Sequence, residues 1–354
     1  MPKLLLHTER ALNNIQMMAD KASENGLKFR PHFKTHQSHE IGNWFKEYPI
    51  DGITVSSVSM AEYFARYGWQ SITVAFPLNI NKVGRINKLA SNIDLRVLAV
   101  SVDALKITEP VIEHEVGIYI ELDPAYGRSG VDMNASSDII SIIDYIKASK
   151  AFRFEGFYMH AGHSYRNRGK KELVLFSNAL VQRIKEFKKE FPYPICFGDT
   201  PSCSVLDDFT DIDQISPGNF VFYDWIQTQI GSCDPSKIAV AMQCDVVTKY
   251  ENRNEILIHG GAVHFSKDSD MQAVGLPYFG QVIDQNWEVI PGVILKSVSQ
   301  EHGIIQCTPE YFDQTIIGES IHIYPIHSCL TADLMGHYYT LDGQHISHLS
   351  ANYK

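Results

Sequence analysis

No run of lysine and arginine occurs anywhere in the 354 residues, and acidic side chains outnumber basic ones by 41 to 31. With a formal charge of −10, the chain offers no electrostatic footprint for nucleic acid. Long apolar runs are missing too. None approaches the roughly 18 residues of a membrane-spanning helix, and MPKLLLHTER at the N-terminus has only a three-leucine stretch, so neither a membrane span nor a secretory leader is expected. Cysteine is sparse. The six, at positions 196, 203, 233, 244, 307 and 329, have irregular spacing and form no C-x-x-C. That suits free thiols in a reducing, cytoplasmic compartment and not a disulfide framework. Internal repeats beyond a strand–helix unit, and low-complexity tracts, are also lacking. What is present is a hydrophobic share of 44%, ordinary for a globular protein, on a chain long enough for one large domain and a smaller one. Small-molecule chemistry is the expectation left standing.

From Leu27 to Ser216, eight short β-type runs alternate with segments of helical period. The runs are Leu27–Arg30, Gly52–Val55, Ser71–Ala75, Asp94–Ala99, Val116–Leu122, Phe154–Met159, Pro194–Phe197 and Ile212–Ile215. Between them, apolar residues recur at three- and four-residue steps, as in Ile139, Ile140, Ile142, Ile143 and Ile146; before the first strand, Ala11, Leu12, Ile15, Met18, Ala19 and Ala22 do the same. Eight units with no room for a ninth favour an α/β fold of the closed (β/α)8 TIM barrel type over an open doubly wound sheet. From about residue 236 the pattern changes to strands and turn signals such as Pro291-Gly292 and Asp342-Gly343, with no helix of ten residues. The expected organisation is a barrel over residues 10–235 and a C-terminal β-rich domain over residues 236–354, joined by residues 1–9.

In a barrel the chemistry sits at the C-terminal ends of the strands, so each junction can be searched for reactive side chains. The first strand is followed by Arg30-Pro31-His32-Phe33-Lys34-Thr35-His36, which puts Lys34 at the barrel mouth. Alone, this fits a solvated loop lysine equally well. After the fifth strand comes a glycine-flanked Arg128, and after the sixth His160, His163 and Tyr165. The seventh and eighth are followed by Gly198-Asp199-Thr200-Pro201-Ser202 and Ser216-Pro217-Gly218-Asn219. Small, hydroxylated loops at those two positions form the usual phosphate cradle of a barrel, or else ordinary turns and caps. Phosphate plus a strand-end lysine suggests pyridoxal phosphate held as a Schiff base. Downstream, Pro325-Ile326-His327-Ser328-Cys329 places an imidazole and a thiol at i and i+2, on one face if the segment is an extended strand. The pair suits an open zinc site, or a buried cysteine beside a hydrogen-bonded histidine. His259 and His264, in HGGAVH, look like part of a strand whose glycines admit a close neighbour.

Six segments, RPHFKTHQ at 30–37, ELDPAYGRSGV at 121–131, FEGFYMHAGHSY at 154–165, GDTPS at 198–202, SPGNFVFYD at 216–224 and PIHSC at 325–329, together resemble the fold-type III pyridoxal phosphate enzymes. The resemblance is to the branch with D-serine dehydratase and D-threonine aldolase, related to the alanine racemase N-terminal barrel. It implies that Lys34 bonds the cofactor and takes the substrate α-proton, that Arg128 contacts the phenolic oxygen, and that His160 packs on the pyridine ring. Tyr165 belongs to the same cofactor set, and Thr200, Gly218 and Asn219 would hold the phosphate. His327 and Cys329 match the metal pair of the zinc dehydratases, whereas the aldolases carry Asp at the second position. Ser216 stands where racemases have arginine, against a racemase mechanism, and HGGAVH departs from an Asp-Ala-Gly type sequence. The implied activity is a pyridoxal phosphate- and zinc-dependent lyase that removes water from a D-3-hydroxy amino acid. The alternatives are a D-threonine aldolase-like carbon–carbon lyase and a non-catalytic pyridoxal phosphate carrier. A homodimer acting on a small D-amino acid is expected, with no nucleic-acid or membrane partner.

Overall fold

The computed structural model describes residues 1–272 and 275–349. These fall into two compact units: Gln16–Gly218 makes the body of one, and Met1–Ile15 with Asn219–His348 the other. Among the described residues, no helix is long and apolar enough to cross a membrane.

Among the described residues, the ring of the first unit has eight parallel strands, Lys28–Phe29, Ile53–Val55, Ser71–Pro77, Asp94–Ala99, Val116–Asp123, Phe152–His160, Ile195–Gly198 and Gln214–Ile215, and a short ninth, Val131–Asp132, pairs off the side of Val116–Asp123. Each of the eight overlaps one run expected from the sequence. They pair in order around the sheet, with the first strand beside the eighth. A parallel bridge between His32 and Thr54 joins the remaining edges, so the ring closes through the residues just beyond the first strand. Parallel strands covered on both faces must be apolar throughout, and VGIYIELD is buried at every position except its last. The outer helices bury one stripe each. In Ser136–Ala148 this is Ile139, Ile142, Ile143 and Ile146, the i, i+3, i+4, i+7 set, while Ile140 faces solvent.

Register sets the level of the strand ends. His160 pairs with Gly198, Leu122 with Met159, and the Ser216 amide donates to the Phe197 carbonyl. The loops carrying Arg128, His163, Thr200 and Gly218 therefore leave the same end of the barrel.

The second unit is an antiparallel sheet in which Glu255–His259, His302–Gln306, Val289–Val298, Gly280–Ile283, Ser320–Pro325 and Val240–Tyr250 follow one another, and the last pairs back with the first. Among the described residues these six strands close into a ring. Lys3–Leu6 adds to it, with Leu5 opposite Ala241.

Two sequence expectations are corrected. The strand at 255 stops at His259, and residues Ala262–Phe265 turn as a short helix. Likewise Ser320–Pro325 ends before the His/Cys pair: His327 caps helix Ser328–Met335, and Cys329 lies in its first turn. The i, i+2 same-face argument does not apply there. The buried Asp224 carboxylate causes the turn, accepting both the Ser328 amide at 3.0 Å and its hydroxyl at 3.1 Å.

Candidate active site

At the mouth of the barrel, the chain after Phe29 turns tightly. Phe33 is buried against Phe45, Phe64 and Trp69, which anchors the turn and leaves Lys34 exposed. The Lys34 amide donates to His32 Nδ1 at 3.3 Å.

Two imidazoles share this neighbourhood. Burial pushes His160 down to about 3, and the charges of Lys34 and Arg128 add to the effect. His160 Nδ1 lies 2.7 Å from the Gly198 carbonyl; a carbonyl only accepts, so the proton sits on Nδ1 and the ring is neutral. His32 is held well below its ordinary value by burial and then by Lys34, His160 and Arg128. The result is two basic side chains beside two rings kept neutral, which suits an anionic, aromatic ligand.

Arg128 is half-exposed, 3.8 Å from Glu121. Its cation lies 5.7 Å from the centre of the Tyr126 ring. The loop itself is held by Asp123, whose carboxylate accepts from the Tyr126 and Gly127 amides at 2.7 and 3.1 Å. Tyr165 falls in the one-and-a-half turns Gly162–Arg166, and His163 stacks on Tyr126 at 5.8 Å.

Thr200 opens helix Thr200–Val205, capped by Asp199 through the Ser202 amide at 2.7 Å. Gly218 passes close to the lysine turn. A Cβ there would come within 2.9 Å of the His32 carbonyl and 3.3 Å of Thr35 Oγ1, so any larger residue would push this loop away from the lysine turn. Ser216 donates to Thr54 Oγ1 at 2.8 Å; it presents a neutral hydroxyl and no charge.

In the other unit, His327 Nδ1 lies 2.7 Å from Asp268 Oδ2. Burial alone would lower the pKa of this ring, but the bond to Asp268 and a second bond to Cys329 outweigh it and push it up to about 10. Because Asp268 occupies Nδ1, the nitrogen left for Cys329 is Nε2. One nitrogen and one sulfur thus converge, a donor set that fits a soft or borderline cation. Asn219 belongs to this cluster by its side chain: Nδ2 donates to Asp224 at 2.7 Å and Ser328 Oγ at 3.0 Å, and lies 3.5 Å from Cys329 Sγ.

Residues 6–223 match the alanine racemase N-terminal domain, and residues 239–341 match the serine dehydratase domain. A D-serine dehydratase from Dictyostelium discoideum is 30% identical across 99% of this chain and 96% of its own. The chain belongs to the D-serine dehydratase family. D-threo-3-hydroxyaspartate dehydratase from Delftia sp. HT23 superposes with a TM-score of 0.90 at 24% identity, covering 99% of this chain and 98% of that one; a variant of that enzyme in its metal-free form gives 0.90 at 23%, with the same coverage. D-threonine aldolase from Filomicrobium marinum gives 0.85 at 18%, over 99% and 95%. These structural likenesses are likenesses of fold.

Against this family background, two residues stand out that the sequence did not flag. His32 sits in the RPHFKTHQ motif, but a histidine two positions before a loop lysine carries no spacing signature. Asp268 lies 59 residues from its partner His327, and nothing local marks it. A third group, His259, His264 and Glu301, brings its donor atoms within 4.8 Å of one another. There the His264 Nδ1 accepts from the Gly261 amide at 3.2 Å, which puts the proton of the neutral ring on Nε2, 3.8 Å from Glu301. Glu301 also lies 3.4 Å from His259 Nε2. The group closes on itself as a polar seam. Gly261, whose Cβ would meet the Ser299 and Gln300 carbonyls at 2.4 Å, lets the hairpin seat against it.

Proposed function

We propose that the chain is a pyridoxal phosphate- and zinc-dependent lyase that removes water from a small D-3-hydroxy amino acid, D-serine or 3-hydroxy-D-aspartate, to leave a keto acid and ammonia. The observation that carries this reading is the pair of basic side chains Lys34 and Arg128 flanked by two imidazoles kept neutral, in a member of the D-serine dehydratase family. The close seating of the Gly218 loop against the lysine turn supports a phosphate held by its backbone amides beside Lys34.

When bound, pyridoxal phosphate supplies an electron sink for the α-carbon, and zinc supplies a Lewis acid for the departing hydroxyl oxygen. Lys34 Nζ would hold the cofactor and accept the α-proton. Arg128 would contact the phenolic oxygen, with Tyr165 in the same cofactor set. His160, locked through Nδ1 onto Gly198, would offer a neutral ring to the pyridine. Thr200 and the backbone amides of Gly218 and Asn219 would hold the phosphate, since the Asn219 side chain is engaged elsewhere. Ser216 would offer the pyridine nitrogen a neutral hydroxyl where racemases have arginine, which suits elimination over racemisation. His327 and Cys329 would hold the zinc, and a thiolate favours zinc over a harder ion.

None of the six cysteines is in a disulfide, in keeping with a cytoplasmic setting, and the active form in this reading is a homodimer. Light scattering should give the mass of two chains.

Two measurements on purified protein test the assignment. An absorbance band at about 410–420 nm should vanish on borohydride reduction, and peptide mapping should place the reduced adduct on Lys34. Chelation should stop keto-acid formation and leave that band in place. An adduct on another lysine, or undiminished turnover in protein shown by elemental analysis to be metal-free, would contradict the reading.

A further inference from the structure

The two proposed ligands are fixed by different means. Cys329 is placed by the helix start that Asp224 enforces. His327 has no such backbone constraint on its ring. Apart from the bond to Cys329 itself, its ring is held by one exposed carboxylate, Asp268, 51% accessible against 31% for His327.

We infer that Asp268 is the positioning residue of the metal site, holding His327 in the tautomer and orientation that present Nε2 to the cation. The inference rests on the assignment of His327 and Cys329 as ligands.

A carboxylate can only accept, so the 2.7 Å contact requires the hydrogen on Nδ1. The neutral ring then has its lone pair on Nε2, on the side of Cys329. Without Asp268 the ring is free to take the other tautomer or to rotate, and both remove the lone pair from the metal. Histidines that bind metals commonly donate their second nitrogen to a carboxylate in this way.

The backbone around Asp268 is shaped to deliver that contact. Ser266 sits at φ +70° and ψ −177°, a backbone conformation that residues other than glycine rarely adopt, and its hydroxyl accepts from the Asp268 amide at 3.0 Å. The segment is also tied to the ligand-bearing helix: Thr331 Oγ1 donates to the Phe265 carbonyl at 3.3 Å. Asp268, His327 and Cys329 thus share one rigid frame.

The test titrates metal-stripped, cofactor-loaded full-length protein with Co²⁺, whose thiolate charge-transfer band reports Cys329, and then competes with Zn²⁺ against a chromophoric chelator. Asp268→Ala should weaken zinc binding about 10–100-fold, while the cofactor band and the melting temperature of the metal-free protein stay as in the wild type. Asp268→Asn, which keeps an acceptor oxygen, should fall between the two. Wild-type zinc affinity in Asp268→Ala would overturn the role of Asp268. A cobalt band that survives Cys329→Ala would overturn the ligand assignment itself, and the inference with it.

Discussion

Asp199 does two things of opposite sign. Its Oδ1 caps helix Thr200–Val205, yet its carboxyl is buried, and burial pushes its pKa up to about 6 from an unfolded value of about 3.9. Between those values the folded chain holds a proton that the unfolded chain has released. The favourable contribution is therefore full below about pH 4 and is lost as pH rises through 6. Asp199→Asn keeps the cap and removes the buried charge. Urea unfolding of cofactor-free protein should show little change at pH 4 and a gain of up to about 3 kcal/mol at pH 8; a loss at pH 8 would show that the charge is compensated. At this scale the sequence exposed Lys34, Arg128 and His160, because strand ends in a barrel can be counted. It did not expose Asp199 as a strained group or His32 as a neighbour of the lysine, since both depend on enclosure by other loops.

Among the elements, the eight barrel strands were readable because most carry short β-type apolar stretches set between segments of helical period. The start of helix Ser328–Met335 was not. Ile-His-Ser-Cys is compatible with a strand, and the decision is made by Asp224, 104 residues earlier in the chain. Asp224 accepts from Asn219, from both donors of Ser328 and from the Gln227 amide. Asp224→Ala strands several buried donors and should cost about 2–4 kcal/mol in the metal-free protein, with loss of the cobalt–thiolate band. An unchanged urea midpoint would mean that other contacts fix the helix.

For the molecule as a whole, the sequence indicated a barrel followed by a β-rich region but not the closed ring of six antiparallel strands. That closure depends on pairings such as Cys244 with Ile321 and Val246 with Ile258, which no local pattern encodes. The activity read from this architecture differs from its nearest chemical rival in one respect: water leaves the β-carbon, and the α–β carbon bond survives. Product analysis separates the two. Purified enzyme with pyridoxal phosphate and zinc, supplied with D-serine and with 3-hydroxy-D-aspartate, should release ammonia and the corresponding keto acid in equal amounts from at least one of them. Glycine with an aldehyde product, or interconversion of enantiomers without ammonia, would contradict the account.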